Sequence, residues 1–91
     1  MTYRQSTIND SLLPTRRMGY RMREFRQHFN KSIAEFSEEC SISPRQLSNY
    51  ERGKNIPSID SLVKMSQNEE IKAEYTLEDL FRILVVEPLN K

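Results

Sequence analysis

The sequence predicts a small all-α domain. Three observations carry that expectation: apolar residues recur at helical spacing, Ser and Thr residues stand where helices need caps, and 91 residues leave room for one domain. A domain of this size buries roughly 60–65% of its unfolded surface and can fold with a modest core.

Residues 1–14 are polar and lack a helical period, and read as an N-terminal arm. Pro14 disfavours helix for the residue before it and opens the first element. From Thr15 to Phe29 the apolar residues Met18, Met22, Phe25 and Phe29 form one face of an amphipathic helix. Arg16, Arg17, Arg21, Arg23 and Arg26 fall largely on other faces. Asn30, which tolerates a left-handed backbone, is placed to stop the helix.

Ser32 with Glu35 makes a capping box for a short second helix from Ile33 to about Cys40, with Ile33, Phe36 and Cys40 on one stripe. Ser41 and Ile42 break it. Ser43 caps a third helix, Pro44 occupies its first turn, Leu47 and Tyr50 point inward, and Gly53 suits a left-handed stop. Ser32 to Gly53 therefore reads as a helix-turn-helix. Lys54 to Pro57 is a loop, and Ser58 caps a fourth helix bearing Ile59, Leu62, Val63 and Met65. Gln67 to Glu74 reads either as a helix extension or as a loop. Thr76 and Asp79 box the start of a fifth helix through Leu77, Leu80, Phe81 and Leu84. The run Ile83 to Val86 either finishes the core or is covered by another chain. The expected organisation is an arm over 1–14, a domain over 15–84 and an apolar tail over 85–91.

No apolar run approaches the ~18–20 residues of a membrane span, and the start of the chain lacks a signal peptide's apolar stretch. A soluble, cytoplasmic protein without membrane contact is expected. Cys40, the single cysteine, fits a reducing compartment and reads as a small core residue. One Cys and one His, His28, build neither a zinc site nor a thiol nucleophile, and no glycine-rich phosphate loop is present. The expectation is no enzyme, no metal and no cofactor.

Net charge is only +1, but it is unevenly distributed. Residues 1–31 carry seven basic against two acidic side chains, while residues 55–91 carry four against seven. The basic pole fits either a phosphate-facing surface or an ordinary solvated helix.

The block Leu47-Ser48-Asn49-Tyr50-Glu51-Arg52-Gly53-Lys54, followed by Pro57-Ser58, resembles the Cro/repressor-type (Xre-like) helix-turn-helix domains. Met18 to Arg26 is similar to that family's first helix and Thr76 to Phe81 to its last. The resemblance implies a five-helix lambda-repressor-like DNA-binding domain whose helix from Pro44 to Arg52 lies in the major groove. Arg45 can then bridge guanine O6 and N7, while Gln46 and Asn49 can pair with adenine N6 and N7. Lys54 and Asn55 are implied phosphate contacts. Ser32 and Ser43 at helix starts, together with Arg21, complete the expected phosphate set; for Arg16 and Arg17 a solvated face serves as well. The resemblance also implies a partly buried ion pair between Arg26 and Glu51. The chain departs from the family's usual pattern at Ile33 in place of Gln, Ser37 in place of Ala and Ser41 in place of the turn Gly. The segment from Asn68 to Tyr75 is longer than usual.

These features point to a transcriptional regulator, a repressor, that binds double-stranded DNA at a palindromic operator as a homodimer, with Leu84, Val85, Val86 and Leu89 as candidate dimer residues. The competing reading is an antitoxin or regulatory partner whose helix-turn-helix mainly serves protein contacts.

Overall fold

A computed structural model describes residues 13–90, so residues 1–12 of the expected arm lie outside the described residues. Among the described residues the regular structure is helical throughout. Helix α1 spans Pro14–His28 and buries Met18, Met22 and Phe25. Asn30 then takes φ 57°, the left-handed stop its side chain tolerates. Helix α2 spans Ile33–Glu39 behind the expected capping box: the Glu35 amide donates to Ser32 Oγ at 3.1 Å, and the Ser32 amide donates to Glu35 Oε1 at 2.9 Å.

Helix α3 spans Pro44–Glu51, with Ser43 Oγ accepting from the Gln46 amide. Between α2 and α3 the turn puts Ser41 at φ 61° and returns the Ile42 amide to the Ser37 carbonyl at 2.9 Å. Ile42 drops into the core there. Ser37 is fully buried, and its hydroxyl donates to the Ala34 carbonyl at 3.1 Å, so the polar atom has the partner that burial demands. Gly53, at φ 77°, closes α3 with its own amide on the Tyr50 carbonyl and the Lys54 amide on the Asn49 carbonyl. That paired arrangement satisfies two of the helix's last carbonyls.

Helix α4 spans Ile59–Ser66 and buries Leu62 and Met65. The long segment after it holds a one-turn helix, α5 (Glu69–Lys72), capped by the Asn68 side chain. It works as a prop. Ile71 is buried, and the Tyr75 ring lies 5.2 Å from Phe25, itself stacked edge-on with Phe29 and Phe36. Pairs from Lys31 to Glu70 and from His28 to Glu74 tie the same segment to the end of α1.

Helix α6 spans Leu77–Phe81 behind a second capping box. It runs without a break into a π-helical turn, Arg82–Val86, and then a last helical turn, α7 (Glu87–Leu89). Residues 85–89 thus continue the domain instead of leaving it as a tail. Pro88 explains the widened turn. Lacking an N–H, it cannot serve the carbonyl five residues back, Ile83, while the Glu87 amide reaches the Arg82 carbonyl. The orphaned Ile83 carbonyl is taken instead by Arg21 Nη1 at 3.0 Å.

Candidate nucleic-acid interface

Two contacts join α1 to the end of α3. Arg26 lays its guanidinium against Glu51 in a two-pronged pair, Nε to Oε2 at 2.7 Å and Nη2 to Oε1 at 2.9 Å, and its third nitrogen, Nη1, donates to the Lys31 carbonyl. The Glu51 side chain is 2% exposed and that of Arg26 12%, so the pair sits in a low-dielectric setting where each charge depends on the other. The hydrogen bond to Glu51 raises the Arg26 pKa above its ordinary value. Gly19 supplies the second contact. A Cβ there would stand 2.5 Å from the Glu51 carbonyl oxygen and 2.8 Å from that of Tyr50, so α1 and the end of α3 meet backbone to backbone. Sequence reasoning did not single out Gly19, although a glycine inside an amphipathic helix is itself a signal of close approach.

With Leu47 and Tyr50 buried, the opposite side of α3 presents Arg45 and Gln46 exposed and Asn49 half-buried. The three expected reading residues therefore share one accessible face. Gln46 is further positioned: its Nε2 donates to Tyr50 Oη at 2.9 Å, and Tyr50 Oη lies 2.7 Å from Ser61 Oγ on α4. This chain holds the amide by one N–H, and its carbonyl oxygen and second N–H are not used in it.

The expected phosphate contacts divide. Lys54 and Asn55 are exposed on the loop that leaves α3. The Ser32 and Ser43 side-chain oxygens accept the Glu35 and Gln46 amides as caps, which does not use their O–H donors, and at Ser32 the Glu35 carboxylate also covers the backbone amide. The backbone hydrogen bond from Ser32 keeps Glu35 below its usual pKa, hence charged, which disfavours a second anion at the start of α2. Arg21 already has partners within the chain: besides the Ile83 carbonyl it donates to Glu87 Oε1 at 2.9 Å, latching the C-terminal turn to α1. Arg17 Nε does the same to the Pro88 carbonyl at 2.7 Å.

The expected dimer residues also divide. Leu84 is fully buried and Val85 is 8% exposed, both inside the protomer's own core, and Val86 is half-buried. Of the four only Leu89 is exposed. Three other exposed large apolar side chains, Ile59, Leu77 and Phe81, border an apolar groove of about 300 Å³ between α4 and α6.

Cys40 is 2% exposed, and burial pushes its thiol up to about 12, so it behaves as a core side chain. Among the described residues no group of His, Cys, Asp or Glu converges as a metal site, and no helix is long and apolar enough to cross a membrane.

The profile of the helix-turn-helix family matches residues 22–68, from the middle of α1 to the cap of α5. The chain is 35% identical over 60 residues to the HTH-type transcriptional regulator ImmR of Bacillus subtilis (strain 168). That alignment covers 66% of this chain and 47% of the relative, so the chain spans about half of that protein's length. No solved structure matches. The match over residues 22–68 takes in both halves of the motif and the pinned helix α3 between α1 and α4, and the chain belongs to the Xre-like helix-turn-helix family of DNA-binding regulators.

Proposed function

We propose that this chain binds specific double-stranded DNA and regulates transcription, acting as a repressor through an operator that it occupies as a homodimer. The observation that carries the reading is the outward face of α3. Arg45, Gln46 and Asn49 stand together on a helix fixed by the Arg26–Glu51 pair and the Gly19 contact. Arginine and amide side chains are the groups that match guanine and adenine edges in the major groove. The named activity of the Bacillus relative, transcriptional regulation, agrees.

One copy spans a half-site only, and pairing about a two-fold axis would double the contacts and set two half-sites about 34–36 Å apart. With Leu84 and Val85 turned inward, the Ile59–Leu77–Phe81 face is the surface for that pairing, and a second copy is its occupant. Charges of both signs flank it, Asp60 with Lys64 on α4, and Asp79 on α6 with Arg82 just beyond that helix. An isologous contact needs such a self-complementary surface, since each copy presents the same patch. The burial of Leu84, Val85 and Pro88 weakens one of the grounds for the antitoxin or partner reading, an apolar C-terminus; the small net charge and Ile33 in place of Gln stand as its other two.

Selection of bound duplexes from a random pool, with the protein's mass measured alone and on the selected DNA, tests the reading. A palindrome bound by two copies is expected, with Phe81→Glu lowering the bound stoichiometry to one. Absence of any enriched sequence would overturn base recognition, and a palindrome bound by two copies of Phe81→Glu as tightly as by the parent would overturn the pairing face.

A further inference from the structure

A cleft of about 560 Å³ opens where the start of α1 crosses the far end of α3. Its wall carries Arg16 and Arg23 from α1, Arg52 and Lys54 from the end of α3, and the Tyr20 ring beside them. Glu51 also borders it, but that carboxylate is already matched by both prongs of Arg26, with Arg23 Nε standing off at 3.7 Å. Four cations therefore face one concave surface whose single carboxylate is neutralised from behind. Arg16 is held there by its stem: a Cβ on Gly53 would lie 2.8 Å from Arg16 Cδ, so the side chain crosses the glycine that ends α3. Two basic residues at a helix C-terminus would suffice to complement its dipole. The two from α1 exceed that need.

From this geometry we infer that the cleft is a phosphate-binding site that grips the DNA backbone beside the groove read by α3. Helix α3 has eight residues, about 12 Å of rise, and the major groove is about 12 Å wide. A helix that enters the groove by its N-terminal end brings its C-terminal end to the groove wall, which is phosphate. Arg16, Arg23 and Arg52 then add to Lys54 a contact that is blind to sequence and fixes the register of Arg45, Gln46 and Asn49 on the bases. Tyr20, half exposed at the same wall, adds a hydroxyl donor. The inference rests on the DNA-binding reading, and the ligand chemistry is a phosphodiester or an equivalent phosphate anion.

The test uses the full chain in two arms. In the first, binding to a labelled duplex is measured across a salt series for the parent, Arg16→Gln, Arg52→Gln and a distant control, Lys72→Gln, with circular dichroism confirming the fold of each. Each neutralised contact lowers the slope of log K against log salt by ~0.9, equivalent to about an eightfold loss at 0.1 M salt. Arg16→Gln and Arg52→Gln are expected to show this loss on the selected sequence and on random duplex alike, and Lys72→Gln is not. In the second arm inorganic pyrophosphate is titrated into ¹⁵N-labelled protein, with amide shifts expected at Arg16, Arg52, Gly53 and Lys54. Parent-like salt slopes for both folded variants overturn the site on DNA. If the parent fails to bind any duplex while pyrophosphate still shifts these amides, the DNA reading falls and a free-phosphate site stands. If neither probe binds, both readings fall.

Discussion

Arg26 and Glu51 lie 25 positions apart and meet through two parallel hydrogen bonds of 2.7 and 2.9 Å, one partner on α1 and the other at the end of α3. Because Glu51 is almost wholly withdrawn from water, its charge is tolerable only while Arg26 faces it. Each half is therefore worth more as a dependency than as an attraction. Glu51→Ala is expected to destabilise the fold by ~3–5 kcal/mol, read by chemical denaturation. Replacing both residues together by apolar side chains of similar volume should cost much less, and an equal cost for single and double replacement would refute the dependency.

Base reading and phosphate gripping separate by mutation. Arg45→Ala should relax preference at one base pair, costing ~1–3 kcal/mol on the selected site and little on random duplex. Lys54→Ala should weaken all sequences alike and lower the salt slope by ~0.9. Competition binding with selected and scrambled duplexes checks both.

Arg21 serves the protein's own C-terminal turn. Arg21→Met should strand the Ile83 carbonyl and unpair Glu87, costing ~1–3 kcal/mol and speeding amide exchange over residues 84–90. Its salt slope on DNA should equal that of the parent; a drop would restore the phosphate-clamp expectation.

Ser41 holds φ 61°, a conformation that costs an L-residue ~1–2 kcal/mol and glycine almost nothing. Ser41→Gly is expected to stabilise the domain by about 1 kcal/mol, raising the melting temperature by ~4–8 °C. A lower melting temperature would mean the serine has a compensating role.

The two capping boxes predict an acid limb in stability. Backbone hydrogen bonds from Ser32 and Thr76 hold the Glu35 and Asp79 carboxyls below their ordinary values in the folded chain. A depressed folded pKa stabilises above the unfolded value and is lost as pH falls through the folded one. Stability should be flat above the ordinary carboxylate range near pH ~4 and decline below it. Glu35→Gln with Asp79→Asn should lower the plateau and flatten that decline in thermal melts taken from pH 6 to pH 2.

What could be read from the sequence was local chemistry. Ser32, Ser43, Ser58 and Thr76 cap helices because a side-chain oxygen reaches an amide three residues on, and Asn30, Ser41 and Gly53 turn left-handed within a single residue. The outward placement of Arg45 and Gln46 follows from the inward commitment of Leu47 and Tyr50. Misplaced were the features fixed by the meeting of distant segments. Arg21 took the Ile83 carbonyl that the Pro88 turn released and Arg17 took the carbonyl of Pro88 itself, which no spacing within α1 reveals. Leu84 and Val85 of the widened turn lie in the core, while Ile59, Leu77 and Phe81 lie outside it. A helical period identifies a stripe, but it cannot say which other stripe will cover it.

The backbone contact at Gly19 has a thermodynamic consequence. With no side chain between α1 and the carbonyls of Tyr50 and Glu51, the two helices have no soft layer on which to slide. The orientation of α3 is settled when the chain folds, so meeting a duplex has only a few outward side chains left to immobilise, at ~0.5–1.5 kcal/mol each. Gln46 is partly immobilised beforehand by Tyr50. Recognition by so small a domain then draws on preorganisation: the entropy of ordering is spent in the unbound protein, and little of the contact energy with DNA is consumed in shaping the surface that makes it.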